Sequence, residues 1–143
     1  MVKHYTNFNI KKIHKGSIIL IGNFDGLHLG HQKLFQLAQS YKKKYNLKIG
    51  VVNFDPMPKM FFNKSLKSFR LSSIDQKLNL IKNQGVDFII TKKFDKNFSK
   101  TKSIDFIKVI LFEKLNARFI FVSNNFRFGN KREGDVNLSL IHI

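Results

Sequence analysis

Cysteine is absent from this 143-residue chain, which removes disulfide bridges and thiolate metal sites and leaves nothing that argues for secretion. Acidic residues are scarce: nine Asp and Glu stand against 26 Lys and Arg, a formal charge of +17. No apolar run approaches the roughly 20 residues of a membrane-spanning helix. The opening Met1-Val-Lys-His-Tyr-Thr-Asn-Phe-Asn-Ile10 has no apolar core of signal-peptide length. These absences predict a cytoplasmic protein with no membrane partner. Proline occurs only at Pro56 and Pro58, where the pair forbids further ladder pairing and ends whatever strand precedes it. With 43% hydrophobic residues, the length suits one domain, 1–143, with a genuine core.

The positive excess is mostly lysine, spread along the chain at Lys42-Lys-Lys44, Lys64, Lys67, Lys92-Lys93, Lys100 and Lys102. Scattered lysine reads as solvated surface, and no element offers base-reading side chains, so nucleic acid is not an expected partner. The charge would hasten the arrival of an anionic small molecule without specifying which one.

What is present is concentrated in one stretch, Ile18-Ile-Leu-Ile-Gly-Asn-Phe-Asp-Gly-Leu-His-Leu-Gly-His-Gln32. The run Ile18 to Ile21 predicts a strand buried on both faces, ending at Gly22. Gly22, Gly26 and Gly30 then frame Asn23, Asp25, His28 and His31. From about Gly30 the apolar period becomes helical, with Leu34, Leu37, Ala38 and Tyr41 on one side. Glycines let a backbone approach a ligand closely, and the free N–H groups opening the helix form a partial positive charge where the turn ends. His28 and His31, three apart, can both aim ring N–H donors at the same anion. Polyphosphate is the ligand class that this arrangement suits.

In chain order, residues 1–16 read as a polar, basic lead-in. Strands are predicted over Ser17 to Gly22, Ile49 to Phe54, Asp87 to Thr91 and Arg118 to Val122. Helices are predicted from about Gly30 to Tyr45, and from a Ser73-Ile-Asp-Gln76 capping box through Leu78 and Ile81 to a stop at Gly85. A third runs from a Ser103 cap over Ile104 to about Lys114, with Ile107, Ile110 and Leu111 buried. Val136 to Ile143 reads as the start of a further element. Strands alternating with helices predict an α/β fold, an open parallel Rossmann-like sheet of four strands. Ligands bind beyond the carboxyl ends of such strands. The loops after the first, second and fourth predicted strands should therefore meet in one crevice.

The motif residues also carry a family likeness. Gly22-Asn-Phe-Asp-Gly-Leu-His-Leu-Gly-His-Gln32 resembles the G-x-F-D-G-x-H-x-G-H-Q signature of the nucleotidylyltransferase superfamily, and within it the bacterial FAD synthases, the FMN adenylyltransferase module of bifunctional riboflavin kinase/FAD synthetase. Phe54-Asp-Pro-Met-Pro-Lys-Met-Phe-Phe62 is similar to their F-E-P-H-P-x-x-F-F segment, with Asp55 for glutamate and Met57 for histidine. Arg70-Leu-Ser-Ser73 with Lys77-Leu78, Phe94-Asp95 with Phe98, and Asn125-Phe-Arg-Phe-Gly-Asn-Lys-Arg-Glu-Gly-Asp135 resemble further segments, so that matches run from about residue 16 to 138.

The resemblance implies a reaction between ATP and FMN giving FAD and pyrophosphate, with the FMN phosphate attacking the α-phosphorus in line. It implies His28 and His31 as the catalytic pair, and Gly22, Asn23, Phe24, Asp25, Gly26 and Gly30 against ATP. Pro56, Pro58, Phe62, Asn125, Arg127 and Phe128 fall on the flavin side, and Mg²⁺ is expected through phosphate oxygens with no dedicated protein ligand. The superfamily's S-S-T-x-x-R clamp after a fifth strand and the flavokinase domain are not found. The resemblance is thus to a module incomplete at its C-terminus, expected to leave the fourth strand as an apolar edge, to bind nucleotide weakly and to turn over poorly. A nucleotidylyltransferase with another acceptor, such as phosphopantetheine or a glycerol phosphate, and an inactive fragment are the alternatives.

Overall fold

The sheet grows outward from two stretches that are apolar at almost every position, β2 (Ile18–Ile21) and β3 (Ile49–Asp55), which can leave neither face to water. They pair in parallel, with Ile18 opposite Ile49 and Ile21 opposite Val52. β3 then pairs with β4 (Phe88–Lys93), while β2 takes β5 (Phe119–Val122) on its other side. The computed structural model describes residues 1–24, 29–55 and 74–123. Among these, with β1 at Lys3–Tyr5, the strand order is β1-β4-β3-β2-β5, every neighbour parallel, as expected of an α/β sheet of this class.

All four predicted strands are present, and a fifth precedes them. β1 (Lys3–Tyr5) lies along β4, with the Lys3 N–H donating to the Asp87 carbonyl at 3.2 Å, so residues 1–16 are not the simple lead-in that their polarity suggested. Three residues, Lys-His-Tyr, carry no readable period, and it is pairing with β4 that makes them a strand. Tyr5, Phe8 and Ile10 complete the correction by entering the core.

Helices cover both faces of the sheet. On one side α1 (Leu29–Tyr45) and α2 (Ile74–Lys82) bring Phe35, Ala38 and Ile81 against Ile18, Leu20, Val51 and Ile89. Leu37, expected on the buried side of α1, is 44% exposed; Phe35 is buried there instead. Against the other face pack the N-terminal segment and α4, a turn at Ser103–Asp105 that runs on into π-helical Phe106–Lys114. Ile107, Ile110 and Leu111 are buried as predicted, but Ser103 is the first helical residue; Lys102 is the N-cap and makes no side-chain capping bond. The capping serine Ser73 lies outside the described residues. Gly85 does follow α2 in a left-handed turn at φ 78°. The Phe94, Asp95 and Phe98 likeness has a structural meaning: Asp95 caps the short α3 (Lys96–Ser99) through the Phe98 N–H at 2.8 Å, and the two phenylalanines pack on Phe54. β5 lies at the edge of the described sheet, its four residues half-buried.

Two packing arrangements hold the amino ends of the strands. A Cβ at Gly50 would run into the Phe88 ring, which occupies that space and stacks on His14 at 4.5 Å. The Lys11 N–H donates to the Tyr5 hydroxyl at 3.1 Å, and that hydroxyl shares a hydrogen bond with Nδ1 of buried His14, 2.6 Å away. Burial first, then Lys48, holds its pKa below the ordinary value; Lys11 and Lys3 act the same way, and Asp87 opposes them. His4 is shifted in the same direction by burial and Lys82.

A histidine whose folded pKa is lowered contributes stability that is whole above its unfolded value, about 6.5, and lost as pH falls from there toward the folded value. The Tm should accordingly fall between about pH 7.5 and about pH 5.5, and His14→Phe should shrink that fall; an equal fall in both proteins would contradict the assignment. Gly50→Ala should destabilise the fold by about 2–3 kcal/mol in denaturant titration, because the Phe88 ring has to leave its place.

Candidate functional site

β3, β2 and β5 are neighbours and end in the same direction, and the order of addition reverses at β2: β3 and β4 lie to one side of it, β5 to the other. That reversal is where open α/β sheets receive ligands. The three loops expected to converge leave from these three adjacent strand ends.

Gly22 is where the ends close on one another. Its N–H donates to the Val52 carbonyl at 3.2 Å, and the N–H of Ser123, directly after β5, donates to the Ile21 carbonyl at 3.0 Å. A Cβ on Gly22 would lie 2.5 Å from Ser123 Oγ, 3.0 Å from Ser123 Cβ and 3.1 Å from the Phe24 ring. A side chain at this position would require Ser123 and the Phe24 ring to shift, which favours glycine on grounds of space. The role of Ser123, which is buried, was not anticipated from sequence; a serine directly after an apolar strand carries no distinguishing pattern.

Asn23 follows, half-buried, with its Oδ1 shielded from solvent and without a hydrogen-bond partner among the described residues. Such an acceptor costs about 1–3 kcal/mol and calls for a water or a ligand group to meet it. Phe24 is fully buried at φ 54°, a left-handed conformation costing a bulky residue about 1–3 kcal/mol. Its ring is held by Phe35 at 5.3 Å and by the edge of His31 at 5.1 Å. Packing beneath α1 thus sustains the strained turn.

His31 is the third residue of α1, half-buried beside that turn, and Gly30 is the second. The first turn of α1 contains no acidic residue, so the positive end of the helix is not offset there, while Lys42, Lys43 and Lys44 face the negative end. Lys42, read from sequence as solvated, also binds Asp87 Oδ2 at 2.9 Å, which accepts from the Ile49 N–H as well. A strained turn, a glycine crowded by its neighbours, an amide oxygen with no partner among the described residues and a helix start with a histidine suit an anionic ligand with polar groups attached.

Of the sequence-predicted residues, Gly22, Asn23, Phe24 and His31 are brought together here, with Gly30 in the backbone of α1. Asp25, Gly26 and His28 lie outside the described residues. So do Pro56, Pro58, Phe62, Asn125, Arg127 and Phe128, although Pro56 follows directly on Asp55 at the end of β3. One further polar residue of the neighbourhood was missed, Asn53, buried near the end of β3. Its signal was available: it is the polar exception in a run otherwise apolar as far as Phe54.

Comparison with known proteins adds independent findings. The model of a family described as FAD synthetase matches residues 10–140. A bifunctional riboflavin kinase/FMN adenylyltransferase of Buchnera aphidicola subsp. Acyrthosiphon pisum (strain APS) is 43% identical over 130 residues, 91% of this chain and 42% of the relative. The protein of the same name from Escherichia coli (strain K12) is 37% identical over 121 residues, 85% of this chain and 39% of the relative. The chain therefore spans about two fifths of the length of these relatives. A crystal structure of a macrolide-efflux protein from Streptococcus pneumoniae superposes with a TM-score of 0.82 over 99% of this chain and 47% of the other, at 22% identity, a likeness of fold alone.

Gly22→Ala should lower stability by about 1–3 kcal/mol, and Ser123→Gly in that background should restore part of the loss, since both act on one contact. Additive losses measured by thermal melts would show that the two residues do not share it.

Proposed function

Because the chain belongs to the FAD synthetase family, we propose that residues 1–143 form an FMN adenylyltransferase domain, transferring AMP from ATP to FMN to give FAD and pyrophosphate. The curated relatives carry two activities in their names, and this is the one assigned here. The observation that carries the proposal is the position of His31 and the first turn of α1 beside the Gly22–Phe24 turn, at the reversal point of the sheet.

An oxygen of the FMN phosphate attacks the α-phosphorus of ATP, the bond from that phosphorus to the bridging oxygen breaks, and pyrophosphate leaves with the electron pair. No covalent enzyme intermediate is needed, so the protein's work is to position the reactants and to stabilise developing charge. The free amides at the start of α1 meet phosphate oxygens, and His31 and His28 donate to them as charge grows. Asn23 and the backbone of Phe24 border the nucleotide, as do Asp25 and Gly26 of the same motif. Pro56, Pro58, Phe62, Asn125, Arg127 and Phe128 supply the flavin side, through a ring face against isoalloxazine and a guanidinium on phosphate or carbonyl oxygen.

Magnesium would enter with the triphosphate and neutralise its charge. It would be held through phosphate oxygens, which suit its demand for hard oxygen ligands. Among the described residues no helix is long and apolar enough to cross a membrane, and a cytoplasmic enzyme of ATP and FMN is the setting proposed.

The test is a flavin-fluorescence titration with FMN, with and without Mg-ATP, on wild type and His31→Ala, followed by FAD formation in a single turnover. Wild type should quench more strongly with nucleotide, and His31→Ala should lower the single-turnover rate on the order of a hundredfold. Quenching indifferent to both nucleotide and substitution would overturn the proposal. Binding of Mg-ATP without any response to FMN would move the assignment to another phosphorylated acceptor.

A further inference from the structure

Asn53 stands near the carboxyl end of β3 and is completely buried. Its Nδ2 donates to the Ile90 carbonyl at 3.0 Å and to Thr91 Oγ1 at 3.0 Å, both on β4. Thr91 Oγ1 lies 2.9 Å from His4 Nε2 on β1, so one polar chain ties three neighbouring strands. A backbone carbonyl can only accept, so the Asn53 amide cannot turn over and exchange its nitrogen for its oxygen. Its Oδ1 is thereby fixed as an acceptor, and it has no hydrogen-bond partner among the described residues. The amide linkage to β4 explains half of this side chain and leaves the oxygen unexplained.

Position gives that oxygen a use. The Gly22 N–H reaches the Val52 carbonyl, so Asn53 adjoins the Gly22 turn across the strand pair. Alternation along β3 puts Asn53 on the same sheet face as Val51, which packs in one cluster with Phe24, Phe35 and Ala38 beneath α1. Asn23, on the other side of Gly22, has a second buried oxygen that no described group meets. Two shielded amide acceptors therefore flank one glycine at the reversal point of the sheet.

We propose that Asn53 is a substrate-reading residue of this site, its Oδ1 accepting a hydrogen bond from a neutral hydroxyl or amine carried by the bound substrate. The proposal rests on the adenylyltransferase reading above. Phosphate oxygens are acceptors and cannot be the complement. The ribose hydroxyls and exocyclic amine of ATP can, as can the ribityl hydroxyls and ring N–H of FMN. An acceptor held this rigidly in a dry place discriminates strongly against a ligand lacking the donor, so its effect is on selectivity and affinity more than on the chemical step. Thr91 is the positioning residue that fastens it.

The experiment is calorimetric titration of the whole chain, as wild type, Asn53→Ala and Thr91→Val, with two sets of ligands. One set is Mg-ATP with its 2′-deoxy, 3′-deoxy and 6-desamino analogues; the other is FMN with N3-methyl FMN and ribityl-deoxy FMN. Asn53→Ala should bind one of the two parent substrates about fivefold to tenfold more weakly. It should also cease to distinguish that parent from the analogue lacking the donor, which wild type does distinguish. Thr91→Val keeps the carbonyl and loosens its anchor; it should lose about twofold to threefold for the same ligand, and it carries the test should Asn53→Ala not fold. Unchanged affinity for both substrates in the folded variants, even with a lowered Tm, would overturn the proposal and leave the adenylyltransferase reading standing. A wild-type chain that binds neither ATP nor FMN would overturn that reading first.

Discussion

β2 is held on both sides by parallel partners, and at its end the chain reaches a glycine crowded by its neighbours. The contact of Gly22 with Ser123 and Phe24 follows directly from the short strand ends being drawn together. With the strand ends this close, the backbone must turn out of the sheet at once, and Phe24 does so in a left-handed conformation. Burial of its ring under α1 offsets the strain, and the same packing sets the edge of His31 against it. The turn, α1 and the imidazole therefore meet at one buried ring, that of Phe24.

The two ends of the sheet are built differently. At the amino ends, the described polar groups are matched: Tyr5 with His14, Lys11 with Tyr5, Ser17 with the His14 carbonyl, Asp87 with Ile49 and Lys42. His14 is buried and structural, although a histidine among lysines invites a functional reading. At the carboxyl ends the side-chain oxygens of Asn23 and Asn53 meet no partner among the described residues. Burying an unmet acceptor costs stability, and the cost falls where α/β sheets receive their ligands.

How much of this was legible depended on the length of each signal. The runs at 18–21, 49–54 and 119–122 are apolar long enough to announce buried parallel strands, and the change of period after Gly30 announced α1. Lys3–Tyr5 was hidden because a three-residue strand has no period, and Leu37 misled because a four-residue sample of a helix face tolerates an error of one position. Serine favours the N-cap, yet at Ser103 the helix starts with it. In the site, the glycines and His31 were visible as a motif. Ser123 was not, because its importance arises from neighbours on other strands, which spacing within one strand cannot express, and Asn53 showed only as the polar exception in its run.

The central claim is that nucleotide sits at the carboxyl ends of β3, β2 and β5, against the first turn of α1. Backbone amide shifts measured by nuclear magnetic resonance, as a non-hydrolysable Mg-ATP analogue is added, address it most directly. The account predicts the largest changes at Gly22, Asn23, Phe24, His31, Asn53 and Ser123, with His14 and the amino ends of the strands unmoved. Changes centred on Phe112 of α4 and on Arg118 before β5, or none at saturating nucleotide, would contradict it.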